Sequence, residues 1–171
     1  MRRTLALAPF ILIAGCATTP APAPRPPAPV PVPTYTPPPV APAPSPYAGD
    51  WRDWPVTPGT WTYRADPRGS LAAFGVTGAV PVFTIRCDRA LRQVQLQRVG
   101  VASGAMTIRT SSTLRGLVAQ PGAGAVLAAG DTLLDAMGFS RGRFIVETPP
   151  LAPLVVPAWA EVSRVVEDCR G

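Results

Sequence analysis

Fourteen of the 27 residues from Pro20 to Pro46 are proline, and this run decides where a globular core can form. Proline lacks a backbone N–H and fixes φ, so a segment with proline at every second or third position builds neither helix nor central strand. Its other residues are mostly Ala, Val and Thr, with one charge at Arg25, which leaves nothing with which to bury a core. The expected form is a semi-rigid polyproline-II spacer, about 80 Å long at roughly 3.1 Å per residue. Docking to a proline-binding partner is the alternative use of such a segment. Folding is thereby confined to residues 47–171, an ordinary length for one domain with no internal repeat.

Upstream of the spacer, residues 1–15 read as an export signal. Met1-Arg2-Arg3 is a short positive segment, Thr4 to Ile13 is apolar, and Ala14-Gly15 supplies small residues at a cleavage point. The apolar run is too short for a bilayer-spanning helix, which needs about 20 residues, and Pro9 interrupts it. Leu12-Ile13-Ala14-Gly15-Cys16 resembles the lipobox of bacterial lipoproteins. That resemblance implies lipidation at Cys16, which becomes the new N-terminus, and an anchor of several acyl chains where one chain alone is marginal. Ala17 stands where an aspartate would resemble an inner-membrane retention signal, so the resemblance points to the outer membrane. Residues 16–46 are then the lipidated cysteine and its tether, and the domain lies in the periplasm or at the cell surface.

Composition excludes many mechanisms. The chain has no histidine, and all its basic residues are arginine. Ser-His-Asp and Cys-His catalysis, histidine-ligated metals, Schiff bases and P-loop lysines are therefore all excluded. No cofactor or metal is implied. The net charge is +6, but in residues 47–171 the signs interleave, as in Asp50-Trp51-Arg52-Asp53 and Arg86-Cys87-Asp88-Arg89. Nucleic-acid binding would call for a one-signed stripe, so no nucleic-acid partner is expected.

Alternation of apolar and polar residues predicts strands over Thr60–Arg64, Ser70–Gly75, Val80–Asp88, Leu91–Val99, Ala105–Thr110, Thr113–Ala119, Ala125–Ala129, Arg143–Thr148 and Leu151–Val156. The clearest pair is Val80–Asp88 with Leu91–Val99. Phe83, Ile85, Cys87, Val94 and Leu96 would face inward, with Gln93, Gln95 and Gln97 on a wet side. Asp131 reads as the N-cap of a short helix stopped by Gly138. Pro157 reads as the first residue of a C-terminal helix whose apolar stripe is Trp159, Val162, Val166 and Cys169. The expected fold is mainly β: one antiparallel sheet, a sandwich or a partial barrel, with a short helix and a closing C-terminal helix. Cys87 and Cys169 both fall on inward positions in an oxidising compartment, so a disulfide between them is predicted.

Four residues stand out for binding. Trp51 and Trp54 belong to an aromatic-rich arm, Tyr47 to Trp54, that either stacks a ligand or packs across the sheet. Arg141 and Arg143 flank Gly142 in a Ser-Arg-Gly-Arg turn suited to a carboxylate or phosphate, or simply solvated. Ser103-Gly104-Ala105 and Ser111-Ser112 carry hydroxyls without a base and read as turns. The remaining catalytic option is a carboxylate pair, Asp50 with Asp53 or Asp131 with Asp135, as in glycoside hydrolysis.

The strands Phe83-Thr84-Ile85-Arg86-Cys87, Met106-Thr107-Ile108-Arg109-Thr110 and Phe144-Ile145-Val146-Glu147, followed by a helix ending at Cys169, resemble two periplasmic families. These are the invasion-associated locus B family and the accessory lipoproteins of type VI secretion. The resemblance spans roughly Leu71 to Cys169 and implies a binding or structural role in the envelope. Anchor, small β domain and Ser103-Gly104-Ala105 also resemble the lysozyme-inhibitor lipoproteins. The sequence thus reads as an outer-membrane-anchored lipoprotein with a non-enzymatic interaction or structural domain. Its partners are the membrane, through the lipid, and peptidoglycan or an envelope protein. The alternatives are a binder or inhibitor of a lysozyme-type enzyme and a carboxylate-dependent glycan hydrolase.

Overall fold

The computed structural model describes residues 45–101 and 104–171. Its most regular part is the hairpin of β3 (Phe83–Asp88) and β4 (Gln93–Arg98), in which buried and half-buried residues alternate without a break. Ile85 pairs with Leu96 and Cys87 with Val94, all four fully buried. β2 (Gly69–Gly75) adds to the outer side of β3, and β1 (Thr60–Asp66) adds to β2. β7 (Ala125–Ala128) joins from far along the chain to flank β4, giving a five-stranded antiparallel sheet of order β1-β2-β3-β4-β7.

The second sheet has four antiparallel strands in the order β6-β5-β8-β9. These are β5 (Gly104–Arg109), β6 (Leu114–Ala119), β8 (Arg143–Glu147) and β9 (Leu154–Pro157). Met106 and Ile108 of β5, Phe144 and Val146 of β8, and Leu154 and Val156 of β9 share one hydrophobic core with the inward residues of the first sheet. The fold is therefore mainly β with two separate sheets, not one, and they do not close into a barrel. Four aromatic rings run across the core from one sheet to the other. Trp61 lies 5.4 Å from Phe74 and 6.4 Å from Phe83, and Phe83 lies 6.2 Å from Phe144.

Two helices complete the packing. α1 (Thr132–Gly138) begins at Asp131, whose carboxylate accepts the Leu133 N–H at 2.8 Å as the sequence predicts. α2 (Ala160–Arg170) lies against the first sheet and buries Val162, Val165, Val166 and Cys169. Cys169 is bonded to Cys87 with the Cα atoms 5.4 Å apart, so the predicted disulfide is present.

The sequence reading misplaces the start of α2. Pro157 ends β9 instead of opening the helix, and Trp159 is the N-cap, 47% exposed, off the buried stripe. The cause is that proline suits a first helical turn and an edge strand equally. β9 is an edge strand, so no ladder bond needs the missing N–H, and the Pro157 carbonyl accepts the Trp61 indole N–H at 2.8 Å. That bond joins the edge of one sheet to the edge of the other. The same strand also starts later than expected, at Leu154 instead of Leu151.

Candidate functional site

Residues 45–58 form an arm ahead of β1 that lies on the outer face of the second sheet. Thr57 fixes it to β9: its N–H donates to the Val155 carbonyl, and its hydroxyl accepts the Val155 N–H at 2.9 Å. Ile145 and Val155, paired in register, alternate with core residues and so point to this outer face, yet both are fully buried. The arm thus packs across a sheet, but on the face opposite the shared core. Of its neighbouring aromatics only Trp61 enters that core, with Tyr63 half-buried against it. Trp54 is half-buried and meets Tyr47 edge-on at 5.4 Å.

Within the arm, Trp51–Asp53 makes one 3-10 turn. Asp50 caps it by accepting the Arg52 N–H at 2.9 Å and pairs with the Arg52 guanidinium at 3.2 Å. That backbone bond first, then the Arg52 and Arg109 charges, holds the Asp50 carboxyl below the usual carboxylate range. Arg52 in turn lies over the Trp51 ring, 4.8 Å from its centroid.

Two loops meet the arm. The Thr110–Thr113 turn is closed by Thr110, whose Oγ1 accepts the N–H groups of Ser112 and Thr113. The Ser140–Arg143 turn reverses at Gly142, which sits at φ +78°, a region that favours glycine. The loops are stitched together by hydroxyls. Ser140 Oγ accepts the Ser111 N–H at 3.0 Å and donates to the Arg143 carbonyl, while Ser111 Oγ accepts the Arg141 N–H at 3.1 Å. Arg143 then reaches the arm, donating from Nη1 to the Trp54 carbonyl at 2.7 Å.

The result is a pocket of about 260 Å³ lined by Trp51, Arg52, Ser111, Arg141 and Arg143. Three of the four binding candidates named from the sequence, Trp51, Arg141 and Arg143, come together here across 92 positions of chain. Trp54 does not line the pocket; it supports it through its carbonyl. Arg52 and Ser111 are additions. Ser111 reads in the sequence as a turn residue, and its hydroxyl does serve a turn, but the one across the gap, which no local pattern reveals.

Three of the four carboxylates proposed for catalysis, Asp50, Asp131 and Asp135, have arginine partners. Asp131 caps α1 and accepts from Arg115 at 2.7 Å. Burial alone would raise its pKa, but the Arg115 guanidinium and the Leu133 N–H outweigh it and leave Asp131 below the usual value. Asp135 makes a two-pronged pair with Arg170 at 2.8 and 3.0 Å, joining α1 to the end of α2. Asp53 is exposed at the end of the capped turn. Arg109 pairs with Glu147 at 3.7 Å. Among the described residues, neither Arg141 nor Arg143 has an ion-pair partner. Arg98 was unmarked by the sequence. It points inward from β4, is 8% exposed, and donates to the Val146 carbonyl at 3.3 Å; burial lowers its pKa.

Among the described residues no group of three His, Cys, Asp or Glu side chains could hold a metal ion. The lipidation candidate Cys16, residues 1–44 generally, and Ser103 lie outside the described residues. What fold and pocket define together is a two-sheet β domain, disulfide-linked to its last helix, with a cationic pocket beneath an N-terminal arm. Compared with known proteins, the chain matches no family model, no curated protein and no solved structure.

Proposed function

We propose that the chain is an outer-membrane-anchored lipoprotein whose domain is a non-enzymatic interaction module of the cell envelope. The observation that carries the binding half of this reading is the pocket itself. Trp51, Arg52, Arg141 and Arg143 converge on it, and no carboxylate pair converges with them. Arginines beside an indole bind well, because guanidinium forks match oxyanions and aromatic walls exclude water. Of the four acids that a hydrolase would deploy, Asp50, Asp131 and Asp135 are instead engaged with Arg52, Arg115 and Arg170. The anchoring half rests on Leu12-Ile13-Ala14-Gly15-Cys16 and the proline tether that follows.

Peptidoglycan is the partner that best matches a cationic pocket on a tethered domain, since its peptides carry carboxylates and its sugars can lie on indole faces. Fractionation of cells tests the anchor. The wild-type chain is expected in the outer-membrane fraction, and Cys16→Ala is expected to be unprocessed and lost from that fraction. A Cys16→Ala protein that stays membrane-bound and is cleaved normally would overturn the reading.

A further inference from the structure

We propose that the pocket between the arm and the two stitched loops is a carboxylate-binding site, with Arg141 and Arg143 as its anion ligands and Trp51 as its apolar wall. The proposal rests on the binding reading above and gives it a ligand class.

Arg52, Arg86, Arg109, Arg115 and Arg170 each have an acid within 4 Å; of the other domain arginines, which have none among the described residues, Arg141 and Arg143 are the two that line this pocket together. Guanidiniums cannot lose their charge at any ordinary pH, so two unpaired ones on one pocket leave a standing demand for an anion.

Arg141 and Arg143 are not on a loose loop. Their turn is locked by the Ser140 hydroxyl to the Arg143 carbonyl and by the Ser111 hydroxyl to the Arg141 N–H. One Arg143 donor is held on the Trp54 carbonyl, which fixes the fork and leaves its other N–H groups for a ligand. Ser111 Oγ accepts from Arg141, so its own hydrogen remains to be donated into the pocket. Fixed donors lose less entropy on binding than mobile ones.

Beside the pocket, the Asp50 carboxylate already sits on Arg52, with both oxygens within 3.3 Å of the same Nη1 and one also on the Arg52 N–H. A carboxylate of the chain itself therefore shows how this surface receives one. A ligand carboxylate on Arg141 and Arg143 would give the other two guanidiniums of the pocket an acid as well. Any body attached to it would meet Trp51 inside a space of about 260 Å³.

The test is calorimetric titration of the full chain with four probes: benzoate, N-acetyl-alanyl-alanine, the amide of that dipeptide, and phenyl phosphate. The acids are expected to bind saturably and the amide about tenfold or more weaker, the size of one lost charge-assisted hydrogen bond. Benzoate stronger than the dipeptide acid assigns the site to free organic acids; the reverse assigns it to peptide C-termini. Both support the proposal. Arg141→Gln, which breaks no side-chain bond of the fold, is expected to weaken both acids about tenfold or more, and Arg68→Gln, an equal charge loss away from the pocket, to leave them unchanged. Amide binding equal to acid, phenyl phosphate stronger than benzoate, or indifference to Arg141→Gln would each overturn it. If the titration fails while Cys16→Ala is still lost from the outer-membrane fraction, the ligand class falls and the anchored module stands. The opposite pair of results separates them the other way.

Discussion

Single residues decide how this domain responds to pH. Burial by itself would push the Asp168 carboxyl up, but the Tyr63 hydroxyl at 2.6 Å, with Arg164 and Arg89 nearby, pulls it below its ordinary value. Arg164 also lies 4.0 Å over the Tyr63 ring, so the three form one cluster tying α2 to β1. Asp131 and Asp66 are depressed as well, Asp66 first by its bond from Arg86. A carboxyl whose folded pKa is lowered stabilises the fold above its unfolded value, about 3.9, and that stability is lost as pH falls through the folded value. The melting temperature should therefore be nearly level from neutral pH to about 5 and fall steeply below about 4. Asp168→Asn should lower it at pH 7 and shallow the acid decline, which melts followed at a series of pH values would show. An unchanged acid slope would remove Asp168 from the account.

At the scale of elements, what the sequence discloses depends on how local the cause is. The β3–β4 hairpin is legible because every inward residue from Phe83 to Leu96 alternates with a polar one, and pairing needs only a short connection. The α1 cap is legible for the same reason, since Asp131 acts within two residues of itself. The attachment of β7 to β4 and of β8 to β5 is not, because partner choice across the chain leaves no mark on either strand alone. Trp159 shows the failure of a local rule. It continues the spacing of Val162, Val166 and Cys169, yet it lies before the first turn and faces water. Two substitutions separate a buried helical position from an exposed cap. Leu134→Ala, in the buried face of α1, should cost about 2–5 kcal/mol in urea unfolding. Trp159→Ala should stay within about 0.5 kcal/mol. The candidate site divides similarly: Arg141 and Arg143 stand out in the sequence as a pair around a glycine, while Arg52 and Ser111 join them only through folding.

For the whole molecule, the disulfide is the covalent tie between the first sheet and the last helix. It spans 82 residues and ties the middle of the first sheet to the last turn of the chain. In the chain-entropy account a closure of that length restricts the unfolded state strongly, so Cys87→Ser with Cys169→Ser should lower stability by about 2–5 kcal/mol. Chemical denaturation of the double variant beside the parent measures it, and equal midpoints would deny the bond any such role. The same bond also governs what happens after the backbone is broken. Arg141 is exposed in its turn and lies between the two cysteines. A trypsin cut there severs the peptide chain but frees no fragment, because the piece carrying α2 is still stapled to β3. Such a cleaved chain should run as one band without reductant and as two with it. A domain built this way can be cut at Arg141 and still not shed its C-terminal quarter.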